Sequence, residues 1–252
     1  MADGILANKY VTEALLAENT VLLSLNVEPK NALNTEAIQS LISAFDRCEQ
    51  NAGVDIICIT GHDRAFCTGL NLDTMIEQTD DEAIRMLYLF DILLYRLLRS
   101  NKLIISAING HAVGSGAILA LATDYRLINS NDKIKIGFPE YPKGITLPAL
   151  MRDILKRAGL NNARMLLMGE LVTPKRAEML GLVDEVCDCD VLVCLKDMCT
   201  KLNTGNFSYR EYKQHFVMQD GFSMPQPDDP EYASIVAKVF AQARRLSNDQ
   251  SR

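Results

Sequence analysis

Ile104-Ile105-Ser106-Ala107-Ile108-Asn109-Gly110-His111-Ala112-Val113-Gly114-Ser115-Gly116-Ala117-Ile118-Leu119-Ala120-Leu121-Ala122-Thr123-Asp124 decides the fold. Its β-branched opening, Ile104 to Ile108, reads as a buried strand. Gly110, Gly114 and Gly116 follow at spacings of four and two, and a run of small helix formers begins at Ala117. A strand, a glycine turn and a helix start aim unpaired backbone N–H groups and a helix's positive end into a cleft. Such a site suits a phosphate or an oxyanion. Gly-x-Gly-x-x-Gly and the Gly-Lys-Ser/Thr of a phosphate loop are both missing, and Gly114-x-Gly116 is a partial match only. The same glycines would also serve simply to seat a helix tightly on a strand.

Outward from this stretch, strands and helices alternate. Tyr10 to Val27 reads as a hairpin turning at Glu18-Asn19-Thr20, and Asn34 is placed to cap an amphipathic helix over Thr35 to Gln50. Val54 to Thr60 is a buried strand stopped by Gly61-His62-Asp63. Ala65 to Leu72 then forms a second glycine-bearing turn, and Asp81 to Leu98 a long helix. Tyr125 to Ile128 and Ile134 to Phe138 are expected strands. Leu147 to Ala158 and Asn161 to Met168 are expected helices. Thr173-Pro174 opens another helix that Gly181 ends, before a short strand at Val183 to Val186. The remainder reads as helices over 190–202, 208–218 and 231–246, the last two separated by the proline-rich Met224 to Pro230. The pattern predicts an α/β core over 1–189 and a helical C-terminal region over 190–252.

The 252 residues suffice for one large domain, and 48% apolar with 23% charged residues is an ordinary globular composition. A net charge of −6 leaves no broad basic face, so no nucleic-acid partner is expected. No apolar run reaches membrane length, so no membrane partner is expected either. Seven cysteines without a Cys-x-x-Cys pair, beside only three histidines, predict reduced thiols and no metal centre. Cys187 and Cys189 alternate, which on a strand would put both on one face. Met1 to Lys9 has no basic stretch ahead of an apolar core, so the expected location is the cytoplasm, an organelle matrix being also compatible.

Taken in order, several segments resemble the crotonase (enoyl-CoA hydratase/isomerase) superfamily. They are Asn31-Ala32-Leu33-Asn34, Ala65-Phe66-Cys67-Thr68-Gly69-Leu70-Asn71-Leu72, Ile108 to Gly116, Asp124-Tyr125-Arg126, Phe138-Pro139-Glu140 and Ala177 to Val186. The resemblance implies stacked ββα units with a helical C-terminal region that builds homotrimers, often paired into hexamers. It implies no cofactor, with a coenzyme A thioester as substrate, or an acyl thioester on a carrier protein. The backbone N–H groups of Leu70 and Ser115 would form an oxyanion hole for a thioester enolate. Ser115 is a mild departure, since the family more often has glycine there. Ala65, Phe66, Gly69, Asn71, Leu72, Gly114, Gly116 and Ile118 would contact substrate.

The resemblance also sets the expected reaction. Hydratases of the superfamily hold a water between two glutamates. Glu140 matches the second, but the first position matches Ile118, which cannot position or deprotonate water. One carboxylate suffices for a 1,3-proton shift, as in the Δ3,Δ2-enoyl-CoA isomerase branch, so Glu140 is expected to act as both base and acid. Phe138, Tyr141, Ile145 and Leu147 around it suggest an apolar wall that raises its pKa. The alternatives are a decarboxylase or isomerase of carrier-bound thioesters in polyketide-type synthesis, an enoyl-CoA hydratase, and a non-catalytic acyl-CoA-binding protein. Asp91 and Tyr88 on the long helix are minor catalytic candidates, and His111 is expected to pack. Asn71 and Asp73 are expected to cap a helix. Lys30, Arg64 and Lys213 are candidate contacts for coenzyme A phosphates.

Overall fold

The computed structural model describes residues 8–160, 163–202, 211, 213, 215 and 221–249. Of the expected 208–218 helix only Glu211, Lys213 and His215 fall among these. The hairpin forms as β1 (Val11–Ala17) and β2 (Thr20–Leu25), antiparallel. β4 (Ile56–Thr60), β7 (Leu103–Ile108), β9 (Tyr125–Asn129) and β12 (Glu185–Cys187) extend it in parallel, giving the order β1-β2-β4-β7-β9-β12. A smaller sheet stacks beside it in the order β11-β10-β8-β5. Its strands are β5 (Ala65–Cys67), β8 (His111–Val113), β10 (Ile136–Gly137) and β11 (Leu171–Val172). The two-residue strands β3 (Ala32–Leu33) and β6 (Gly69–Leu70) pair with each other. β4–β5, β7–β8 and β9–β10 each place one strand in the large sheet and the next in the small one. Helices complete the turns, so the expected stack of ββα units is present.

The strand pattern explains the two cores. β4 and β7 are buried on both faces, so they read as continuous apolar runs. Ile57, Ile59, Ile104 and Ile108 face the main core, while Ile56, Cys58, Leu103 and Ile105 face a second one. The second core is covered by α8 (Val191–Lys201) through Val191, Leu195 and Cys199. Helices α1 (Thr35–Gln50) and α3 (Asp80–Arg99) cover the main core. Asn34 caps α1 by accepting from the Ala37 N–H, as expected. Thr79 and Glu82 form a reciprocal capping box on α3, with acids in its first turn and Arg96 and Arg99 in its last.

The remaining described helices are α2 (Leu72–Glu77), α4 (Ser115–Leu121), α5 (Ala149–Arg157), α6 (Ala163–Met168), α7 (Pro174–Met179) and α9 (Pro230–Asp249). Helix α9 returns over α3 and buries Tyr232, Ile235, Val236 and Val239 in the main core. Among the described residues no helix is long and apolar enough to cross a membrane. Two sequence expectations need correction. β12 ends at Cys187, so Cys189 lies past the strand and is exposed, whereas Cys187 is buried. Lys213 is no surface cation. It is 0% exposed and its Nζ donates to the Leu97 and Lys102 carbonyls and to Asp124 Oδ2 at 3.0 Å. Asp124 also accepts from the Ile104 N–H, so this pair ties the chain around residue 213 to the start of β7.

Burial pulls the Lys213 pKa down, and its bond to Asp124 opposes that pull. Removing one partner of a buried pair strands the other charge. Lys213→Met should therefore cost about 3–5 kcal/mol of stability in urea unfolding, the range found for broken buried ion pairs. Lys201→Met, at an exposed pair with Asp197, should leave the midpoint nearly unchanged.

Candidate functional site

The site begins where α4 meets the small strands. A Cβ on Gly116 would stand 2.0 Å from the Cys67 carbonyl oxygen, so only glycine lets the helix start this close to β5. That approach sets Ser115 against Gly69, where a Cβ would lie 3.2 Å from the Ser115 backbone nitrogen. Ser115 opens α4, so its N–H has no acceptor within the helix. Leu70 sits opposite Leu33 in the β3–β6 pair, and the next residue, Asn71, donates its N–H to the Leu33 carbonyl at 2.8 Å. Backbone groups alternate along a parallel strand, so the Leu70 N–H turns away from β3. Leu70 and Ser115 both line one cleft.

Glu140 stands across from them. Its Oε1 lies 2.5 Å from where a Cβ on Gly114 would be, and Gly114 has φ +61°, which glycine alone adopts cheaply. The Glu140 carbonyl accepts from the Lys143 and Ile145 N–H groups, fixing the loop that carries the side chain. The residue is 9% exposed, and its buried Oε2 has no hydrogen-bond partner. Burial is the main cause of a carboxyl pKa pushed up to about 7, opposed more weakly by its own backbone N–H and by Lys143.

The cleft has a volume of about 110 Å³ and apolar walls. Met75 from α2, Leu87 from α3, Leu147 and Met151 around α5, and Ile235 and Val239 from α9 line it. Glu140 is its one acidic residue among the described residues, and Lys143 its one basic residue. Leu87 and the residues of α9 were hidden in the sequence, since nothing local marks which turn of a helix meets a cleft. Of the expected contacts, Gly69, Leu70, Leu72, Gly114 and Ser115 line the cleft with Glu140. Phe66 and Ile118 are 0% exposed in the core behind it, and Gly116 is the packing contact just described. The Asn71 side chain caps α2 by accepting from the Thr74 N–H, and Asp73 lies in that helix's first turn.

The other candidates sit elsewhere. Ala65 lines a separate cavity of about 690 Å³ together with Lys30, His62 and Arg64. The Thr68 hydroxyl, at the cleft, donates to the Lys30 carbonyl and joins the two. His111 lines that cavity as well and accepts at Nδ1 from the Lys135 N–H. Asp91 is 1% exposed and accepts from the Tyr232 hydroxyl at 2.8 Å. Burial raises its pKa to about 7, but it is outside the cleft lining, as is Tyr88, which meets the Tyr232 ring edge-on.

Residues 17–241 match the sequence profile of the enoyl-CoA hydratase/isomerase family. A curated relative, 2,3-dehydroadipyl-CoA hydratase of Escherichia coli (strain K12), is 31% identical over 69% of this chain and 68% of its own length. The mitochondrial enoyl-CoA delta isomerase 1 of Mus musculus is 29% identical over 73% of this chain and 66% of its own length. The crystal structure of human mitochondrial delta3-delta2-enoyl-CoA isomerase superposes with a TM-score of 0.80, covering 96% of this chain and 99% of that one. At 22% identity that likeness is one of fold.

A raised carboxyl pKa is also a statement about stability. The folded protein holds the Glu140 proton more tightly than the unfolded chain does, so stability falls as pH rises from about 4.5 to about 7. The penalty is fully present above that window and absent below it. Glu140→Gln removes the charge, so at pH 8 the variant should be more stable than the parent by up to roughly 3 kcal/mol. At pH 4 the two should unfold together in urea.

Proposed function

The chain belongs to the enoyl-CoA hydratase/isomerase family, and from that premise we propose that it is a Δ3,Δ2-enoyl-CoA isomerase. The observation that carries this reading is the single carboxylate. Glu140 is the cleft's one acidic group among the described residues, and the residue matching a hydratase's first glutamate is Ile118, buried in the core. Water addition calls for a base and an acid around a held water molecule. A double-bond shift needs one group that takes a proton and gives it back.

In the proposed reaction the thioester carbonyl of a 3-enoyl substrate accepts from the Leu70 and Ser115 N–H groups. Glu140, ionised, removes a proton from C2, and the electron pair moves into a dienolate whose oxyanion the two N–H groups hold. The protonated Glu140 then returns the proton at C4, and the double bond comes to rest between C2 and C3 in conjugation with the carbonyl. The apolar walls from Met75, Leu87 and Ile235 keep water from the dienolate. A carboxyl with a pKa near 7 is matched to this task, because it takes up and releases a proton at similar cost.

The cavity holding Lys30 and Arg64 supports a coenzyme A thioester over a carrier-bound one, since it offers two cations next to the cleft for phosphate groups. Glu28 and Asp63 in the same lining temper that charge. Hydratases and isomerases both stand among the relatives at similar identity, so the names do not choose between the two reactions.

The test offers purified protein a 3-enoyl-CoA and, separately, a 2-enoyl-CoA. Conjugated 2-enoyl product should form from the first, and little 3-hydroxyacyl product from the second. Glu140→Gln should lower kcat by about 10²–10⁴-fold, the usual contribution of a positioned base. For the parent, kcat/KM should fall tenfold per pH unit below about pH 7 and level off above it, because the base must be ionised. Rapid hydration of the 2-enoyl-CoA, or a Glu140→Gln variant with full turnover, would refute the reading.

A further inference from the structure

Three cysteines cluster on the side of the large sheet away from the cleft. Cys187 closes β12, Cys189 follows it, and Cys194 lies in the second turn of α8. Asp190 caps α8 by accepting from the Leu192 N–H, so Cys189 is the residue before the cap and Cys194 the fourth helical residue. Side chains at these two positions fold against each other across a helix start, an arrangement usually filled by two apolar residues. Here it is filled by two thiols, with Cys189 Sγ 3.1 Å from Cys194 Sγ. That is roughly 1 Å longer than a disulfide bond of about 2.05 Å. Cys189 is exposed, Cys194 is half-buried and Cys187 is buried.

We propose that Cys189 and Cys194 form a peroxide-oxidisable dithiol that closes to an intramolecular disulfide across the start of α8. The exposed Cys189 thiol, whose pKa its hydrogen bond with Cys194 raises, reacts through its thiolate fraction: the sulfur attacks the peroxide and gains oxygen as the O–O bond breaks, and the departing oxygen leaves as water or an alcohol. Cys194 sulfur then attacks the Cys189 sulfenic acid. The S–S bond forms, the S–O bond breaks, and the hydroxyl leaves as water with the Cys194 proton. Two thiols and one peroxide thus give one disulfide and two hydroxylic products. The second close pair, Cys58 and Cys199, lies 4.0 Å apart but is buried at both ends, so it stays reduced and serves as an internal control. The inference stands independently of the reaction assigned to Glu140.

The experiment treats the folded full-length protein with a few equivalents of hydrogen peroxide, alkylates the remaining thiols and cleaves before aspartates. The sequence makes this diagnostic, because Cys187, Cys189 and Cys194 fall in separate fragments: 184–187, 188–189 and 190–196. The expected result is a mass loss of about 2 Da, two of the seven thiols lost, and fragments 188–189 and 190–196 joined until a dithiol reductant is added. Cys194→Ser should abolish the 2 Da loss, and Cys187→Ser should keep it. Survival of all seven thiols, a link from 184–187 to either neighbour in place of this pair, or stepwise oxygen addition at Cys189 without a link would overturn the proposal.

Discussion

The contact between Gly116 and the Cys67 carbonyl is the constraint on which the site depends. A side chain there would collide with backbone that cannot move, since Cys67 belongs to a strand paired on β8. With glycine, the start of α4 drops against β5, and Ser115 and Leu70 come to line one cleft. Gly114 then turns the chain through a positive φ and leaves room for the Glu140 carboxyl at the same opening. Backbone donors need no rotamer to be frozen, so in the proposed reaction the oxyanion would be held by groups that the fold itself positions.

The carboxyl is held differently. Glu140 carries no partner on Oε2 and sits among apolar walls, so the fold tolerates a destabilising group where the proposed chemistry needs one. Asp91 shows the contrast. It is more deeply buried and its pKa is also raised to about 7, yet the Tyr232 hydroxyl occupies one of its oxygens and it is outside the cleft lining. A raised pKa alone does not distinguish the two. Access to the cleft and to the paired N–H groups does.

Much of the fold was legible because local chemistry and tertiary role agree. The isoleucine runs at 56–59 and 104–108 are buried on both faces, and Asn34 and Pro174 open helices as their side chains dictate. The β3–β6 pair was not legible: two residues a side carry no pattern, and only tertiary placement creates the strand. Asp80 to Arg99 was readable as a helix, but Leu87 as a cleft wall depended on where α9 returns. Lys213 misled for a physical reason. A lysine is normally solvated, and its burial followed from Asp124 far along the chain. Glu140 and the two glycine turns were found in the sequence through their order along the chain, whereas the walls that raise the Glu140 pKa come from five separate helices and loops.

The central claim is that one carboxylate carries a proton between two carbons on one face of the substrate. Its most direct test is isotopic. A 3-enoyl-CoA bearing deuterium at C2 would be turned over in ordinary water, stopping at low conversion, and the product examined at C4. Deuterium carried to C4 in a measurable fraction of turnovers is the predicted result, because the same Glu140 carboxyl that takes the label returns it within a dry cleft. Product formed at normal rate with no label at C4 would contradict the account, since the proton would then arrive from water or from a second acid.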